Sequence, residues 1–148
     1  MNIESILAPE HVFCRIPAAS KKRAIEQIAL KLAESIEGIS AEDLFSKLIN
    51  REKMGTTAIG DGIAIPHCRL DGINEITGAL FTLEQPVDFQ AFDSTQVSVL
   101  FVLLVPTDEV DQHLQVLAML ANRFESSEYR EGLLGSNQSN LFERTIAT

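Results

Sequence analysis

Apolar residues return along this chain at two spacings, and each spacing predicts an element. Ile25, Ile28, Ala29, Leu32 and Ile36 fall at helical spacing, which predicts an amphipathic helix of about five turns. Ser20 stands where an N-cap accepts from free N–H groups, and Gly38 stands where the chain leaves the helix. A second helix is predicted from a cap at Ser40, with Leu44, Phe45, Leu48 and Ile49 turned inward, running out near Met54-Gly55. A third repeats Val110, Leu114, Leu117, Ala121 and Phe124, capped by Pro106-Thr107-Asp108. Tyr129 to Leu134 and Leu141 to Ile146 are helical patches separated by Gly135-Ser-Asn. Strands are predicted at Val12-Phe-Cys-Arg-Ile16, at the short run Ile63-Ala-Ile65 and at Ile76 to Leu83, with a brief edge element at Pro86-Val-Asp-Phe89. Val97 to Val105 is continuously apolar, as expected of a central strand covered on both faces. Strands and helices are interspersed, so the expected fold is one α/β domain over residues 1–148. Its expected sheet is mixed, with about five strands flanked by helices.

Length and charge narrow the picture. The chain has 148 residues and a net charge of −9, and its longest apolar run is far short of the ~20 residues of a membrane span. The N-terminus MNIESILAPEH lacks a basic region followed by an apolar one, so a cytoplasmic protein without a secretory signal is expected. The one basic cluster, Lys21-Lys22-Arg23, reads as a solvated helix face, which argues against nucleic-acid and anionic-membrane binding. An acidic surface suits a basic protein partner. Cys14 and Cys68 make neither a disulfide framework nor a zinc motif. Both read as reduced thiols, with Cys68 beside His67 a candidate for reactivity.

The chemistry centres on histidine. His11 precedes the first predicted strand and reads as a surface residue. His67 follows Ile63-Ala-Ile65 and Pro66, which ends strand pairing because it has no N–H. That places the imidazole at the exit of a buried strand, where open α/β sheets put ligand sites. The preceding loop, Gly55-Thr-Thr-Ala-Ile-Gly-Asp-Gly62, is expected to let backbone N–H groups approach an anion. His113 follows a second strand, in the first turn of a helix, where N–H groups and a positive dipole end are available. A neutral imidazole attacks phosphorus well near neutral pH. His67 is therefore a candidate nucleophile, His113 a candidate donor to the transferring phosphoryl group, and Arg51 the candidate cation. No metal or cofactor is needed for this chemistry. A structural histidine, or a zinc site recruiting Asp61 and Asp111, is the competing reading. No GxSxG or Walker motif occurs, and Ile65 stands where a dinucleotide fingerprint opened by Gly60-Asp-Gly62 needs its third glycine.

Two segments carry a family resemblance. Arg51-Glu-Lys-Met-Gly-Thr-Thr-Ala-Ile-Gly-Asp-Gly-Ile-Ala-Ile-Pro-His67 resembles the phosphorylation-site signature of phosphotransferase-system enzyme IIA domains of the fructose–mannitol type. Val99-Leu-Phe-Val-Leu-Leu-Val-Pro-Thr-Asp-Glu-Val-Asp-Gln-His113-Leu resembles the family's second histidine segment. The likeness runs from Ile3 to about Phe142, and it is greatest to the nitrogen-regulatory branch. It implies a three-layer α/β fold, phosphorylation on His67, assistance from His113 and charge neutralisation by Arg51. The implied donor is a phosphorylated HPr-like carrier, and the implied output is control of partners such as potassium-transporter or sensor-kinase components. A sugar-uptake component passing phosphate to a IIB domain shares this site, and a non-enzymatic binding module is the third option. Cys68 follows the histidine where many relatives have glycine. Ile59, Ile63 and Leu70 are the expected apolar docking rim.

Overall fold

The computed structural model describes residues 2–148. Six strand segments share one mixed sheet: β1 (Leu7–Ile16), β2 (Ala58–Gly60), β3 (Ile63–Ala64), β4 (His67–Leu70), β5 (Thr77–Val87) and β6 (Val97–Pro106). Five helices cover it: α1 (Lys21–Ser35), α2 (Ala41–Lys53), α3 (Gln112–Arg123), α4 (Ser127–Leu134) and α5 (Leu141–Ile146). The strand order is β1-β5-β6-β3-β2, with β4 also paired to β6. β5 runs antiparallel to β6, whereas β3 and β4 run parallel to it.

Alternation along β5 and β6 divides the apolar residues between two cores. Phe81, Leu100, Val102 and Leu104 pack under Ile25, Ile28 and Leu32 of α1 and Leu44 and Leu48 of α2. Leu80, Val99, Phe101 and Leu103 pack under Val116 and Leu120 of α3, Leu133 of α4 and Leu141 of α5. The result is helix, sheet, helix: the three layers the resemblance implied. Each such side chain stabilises the fold by about 1.5–3 kcal/mol relative to exposure. Ser20 and Ser40 cap α1 and α2 as expected, accepting from Arg23 N and Asp43 N.

β3 and β4 behave as one strand with a break in it. Ile63 pairs with Val99 and His67 with Leu103, so the same register runs through both segments. Between them Pro66 offers no N–H, and only its carbonyl, accepting from Leu103 N at 2.9 Å, holds the pair together. The expected role of Pro66 is thus corrected: it interrupts the strand instead of ending it, and His67 opens the second segment.

Three other expectations change. β1 begins at Leu7, so His11 lies within it and is buried, with its Nδ1 unpartnered among the described residues. The segment 86–89 is no separate edge element, since Pro86 and Val87 extend β5. α3 starts at Gln112, with Asp111 and not Thr107-Asp108 in the position before its first residue. Its buried stripe is therefore Val116, Leu120 and Phe124, and Val110 and Leu114 face solvent.

β1 is an edge strand with unpaired backbone groups. Gln138, from the turn before α5, covers part of that edge. Its amide nitrogen donates to Val12 O at 2.8 Å and its oxygen accepts from Cys14 N at 2.8 Å. No helix among the described residues is long and apolar enough to cross a membrane.

Candidate active site

The break before β4 shapes the environment of His67. Strand alternation turns His67 and Arg69 to one face and buries Cys68 and Leu70 on the other. Ile65, in the break, leaves its carbonyl free of the ladder, and His67 Nδ1 lies 2.7 Å from it. A carbonyl accepts only, so Nδ1 carries the proton and Nε2 carries the lone pair. Burial, first of all, lowers the pKa of His67 from its ordinary value of 6.5, and the nearby Arg51 and His113 lower it further, against the Ile65 carbonyl and Glu52. The ring is therefore neutral at neutral pH. In an NMR titration, His67 is expected to protonate with a midpoint below 6.5. A midpoint at or above that value would contradict the burial argument.

Arg51 arrives from the last turn of α2. One helical turn apart, Lys47, Arg51 and Met54 share a face. His113 is the second residue of α3, and its Nδ1 is buried without a partner among the described residues. His67, Arg51 and His113 line one cavity of about 550 Å³, together with Lys47, Asn50 and Arg69. The three side chains singled out from sequence are thus brought together from α2, β4 and α3.

Much of the glycine loop is already engaged inside the protein, which counts against the expected anion cradle. Thr57 N donates to Glu52 Oε2 at 2.9 Å, Asp61 N to Asp93 Oδ2 at 2.9 Å, and Gly62 N to Thr95 Oγ1 at 3.1 Å. The loop fixes backbone direction instead. Gly60 has φ +92°, and a Cβ there would stand 2.9 Å from Asp93 Oδ2.

Glu52 was not singled out from the sequence, yet it organises the site. It is a buried carboxylate that accepts from Thr57 N at 2.9 Å and Thr57 Oγ1 at 2.6 Å, and it pairs with Lys21 Nζ at 2.9 Å. Thr57 O in turn accepts from Ile65 N at 3.0 Å, and Ile65 O holds His67. A single chain of bonds thus runs from Glu52 to the imidazole. Lys21 also donates to Gln90 Oε1 at 2.7 Å, so this residue of the basic cluster is not part of a solvated face. The signal available in sequence was the acid directly after Arg51 in the motif.

Cys68 is buried, and burial pushes its thiol up to about 12. Reactivity at this thiol is disfavoured, because the thiolate is the reactive species. Asp61 faces Arg130 at 3.7 Å, and no three His, Cys, Asp or Glu side chains among the described residues gather as a metal cage. The expected docking rim is also corrected. Ile63 and Leu70 are 1% and 2% exposed, because their strand segments pair with central β6, and Ile59 is half-buried. The apolar side chains exposed at the cavity are Met54 and Leu114, at 83% and 62%.

Known proteins resemble the chain over nearly its whole length. The family profile described as "Phosphoenolpyruvate-dependent sugar phosphotransferase system, EIIA 2" matches residues 5–147. A nitrogen regulatory protein of Pseudomonas aeruginosa is 41% identical over 133 residues, 90% of this chain and 86% of that protein. A fructose-specific EIIA component of Haloferax volcanii is 31% identical over 147 residues, 99% of this chain and 95% of that protein. The crystal structure of nitrogen regulatory protein IIA-Ntr from Neisseria meningitidis superposes with a TM-score of 0.88 at 38% identity, covering 99% of each chain. With the fold, the profile and these relatives in agreement, the chain belongs to the EIIA type 2 family of the phosphoenolpyruvate-dependent sugar phosphotransferase system.

Proposed function

We propose that this phosphotransferase-system protein is a phosphocarrier of the nitrogen-regulatory branch, accepting a phosphoryl group on His67 from a phosphorylated HPr-like protein. The observation that carries the reading is the tautomer: Nδ1–H is held by Ile65 O, which leaves Nε2 as nucleophile in a cavity shared with Arg51 and His113. Nε2 attacks phosphorus as the donor's nitrogen–phosphorus bond breaks, and the bonding pair returns to the donor imidazole. Arg51 neutralises charge on the equatorial oxygens. An unpaired buried lone pair is tolerated better than an unpaired N–H. The His113 proton therefore belongs on Nε2, where it donates to the phosphoryl group.

Phosphorylation adds about −1.5 to −2 charge to an already acidic protein. That change alters which surfaces the protein can meet, and potassium-transporter or sensor-kinase components are the expected readers. The similarity to nitrogen regulatory proteins favours this output. The similarity to a fructose-specific component keeps transfer to a IIB domain as the second reading. Incubation with a phosphorylated HPr-like carrier, followed by peptide mapping, is expected to place one acid-labile, base-stable phosphate on His67. Phosphate mapped to any other residue would sink the proposal.

A further inference from the structure

The connection from β6 to α3 delivers His113 to the cavity, and it is held from β4. Arg69 Nη1 donates to the carbonyl oxygens of Pro106 at 3.2 Å, Thr107 at 3.3 Å and Glu109. Two residues further on, Asp71 Oδ1 accepts from Thr107 Oγ1 at 2.5 Å. Within the connection, Glu109 N donates to Pro106 O at 3.0 Å, and the Glu109 carboxylate accepts from Gln112 N at 2.6 Å. That last bond replaces the cap that the Asp111 side chain does not make.

Arg69 is the next residue after His67 on the same side of β4, and it lines the same cavity. One short strand thus carries the first imidazole and grips the loop that carries the second. We propose that Arg69 is a positioning residue for phosphoryl transfer: its guanidinium fixes the backbone of residues 106–109 and so sets where His113 stands relative to His67. All three contacts come from Nη1, whose two hydrogens are shared among the three carbonyls, and the rigid guanidinium plane aims that nitrogen where an ammonium on a flexible stem is not so aimed. The proposal rests on His113 acting as donor. A direct contact between Arg69 and the phosphoryl group is the competing role, and it would require the carbonyl bonds to break.

The test is the single-turnover rate of phosphate transfer from phosphorylated HPr-like carrier. Arg69→Met is expected to lower the maximal rate about tenfold with donor KM changed less than about twofold, since misplaced catalytic groups act on the rate. Arg69→Lys should fall between the two. In a His113→Ala background, Arg69→Met should cost no further loss. Thr107→Val, which cuts the second tie, should slow transfer in the same His113-dependent way and serves if Arg69→Met fails to fold. A full loss that persists in the His113→Ala background would overturn the proposal in favour of direct contact. A rise in KM alone would overturn it in favour of donor docking. If His113→Ala itself transfers at the wild-type rate, the donor role of His113 fails and the positioning role fails with it. If His113→Ala is slow but Arg69→Met and Thr107→Val are not, only the positioning role fails.

Discussion

His67→Ala is expected to take up no phosphate from a phosphorylated HPr-like donor while keeping a native circular-dichroism spectrum. The imidazole is half-buried, and its hydrogen bond within the protein is the one from Nδ1 to Ile65 O. Losing it therefore leaves the two cores beneath the sheet intact. The other two imidazoles differ in their situation: His11 is buried in β1, away from the cavity, and His113, which lines the cavity, is assigned the donor's part in the proposed transfer. Removing a covalent nucleophile typically lowers rates by roughly a millionfold, which is below detection in a labelling experiment. Undiminished labelling of the variant would refute the assignment outright.

Glu52→Ala is expected to destabilise the fold by about 3–5 kcal/mol, because it strands a buried partner. The carboxylate side chain is 3% exposed and the Lys21 side chain 18%. Deletion leaves Thr57 N and Thr57 Oγ1 without their acceptor, and leaves the Lys21 ammonium without its counter-charge and with Gln90 Oε1 as its remaining acceptor. Urea unfolding reads the loss directly. Glu52→Gln keeps an oxygen for Thr57 but not the charge for Lys21, so it should fall between. Pairing it with Lys21→Met should recover part of the difference, since the lone charge is then gone. The damage also reaches function, because Glu52 anchors the bonds that lead through Thr57 and Ile65 to His67. A Glu52→Ala variant as stable as wild type would show that the node is solvated in solution.

Much of this was readable from residue order because the signals were local. Ser20 and Ser40 announce α1 and α2, and the unbroken apolar run from Val97 announces the central strand. His67, Arg51 and His113 could be singled out from their places beside a strand, a glycine loop and a helix start, and the structure brings them into one cavity. What escaped depends on contacts between distant segments. The burial of Ile63 and Leu70 follows from pairing with β6, which no local pattern reveals. The glycine loop looked ready for an anion because its glycines are visible in sequence. The partners of its N–H groups, Glu52, Asp93 and Thr95, are set by tertiary packing. The displaced stripe of α3 has a similar origin: Arg69 holds the carbonyls of Pro106, Thr107 and Glu109 outside any helix, so α3 begins later than its polar residues suggest.

Gln138 has a consequence for how molecules of this protein meet one another. An open sheet exposes a template at each edge, and an incoming strand from another copy would add to it. On one side the template is divided between the three residues of β2 and the four of β4, each a short edge for a guest strand. On the other, the Gln138 amide occupies Val12 O and Cys14 N as one residue of a neighbouring strand would. Arg15, with φ +53°, then bends the chain away from a flat edge. A side chain from the opposite end of the sequence thus fills two backbone positions that a strand of another copy would need.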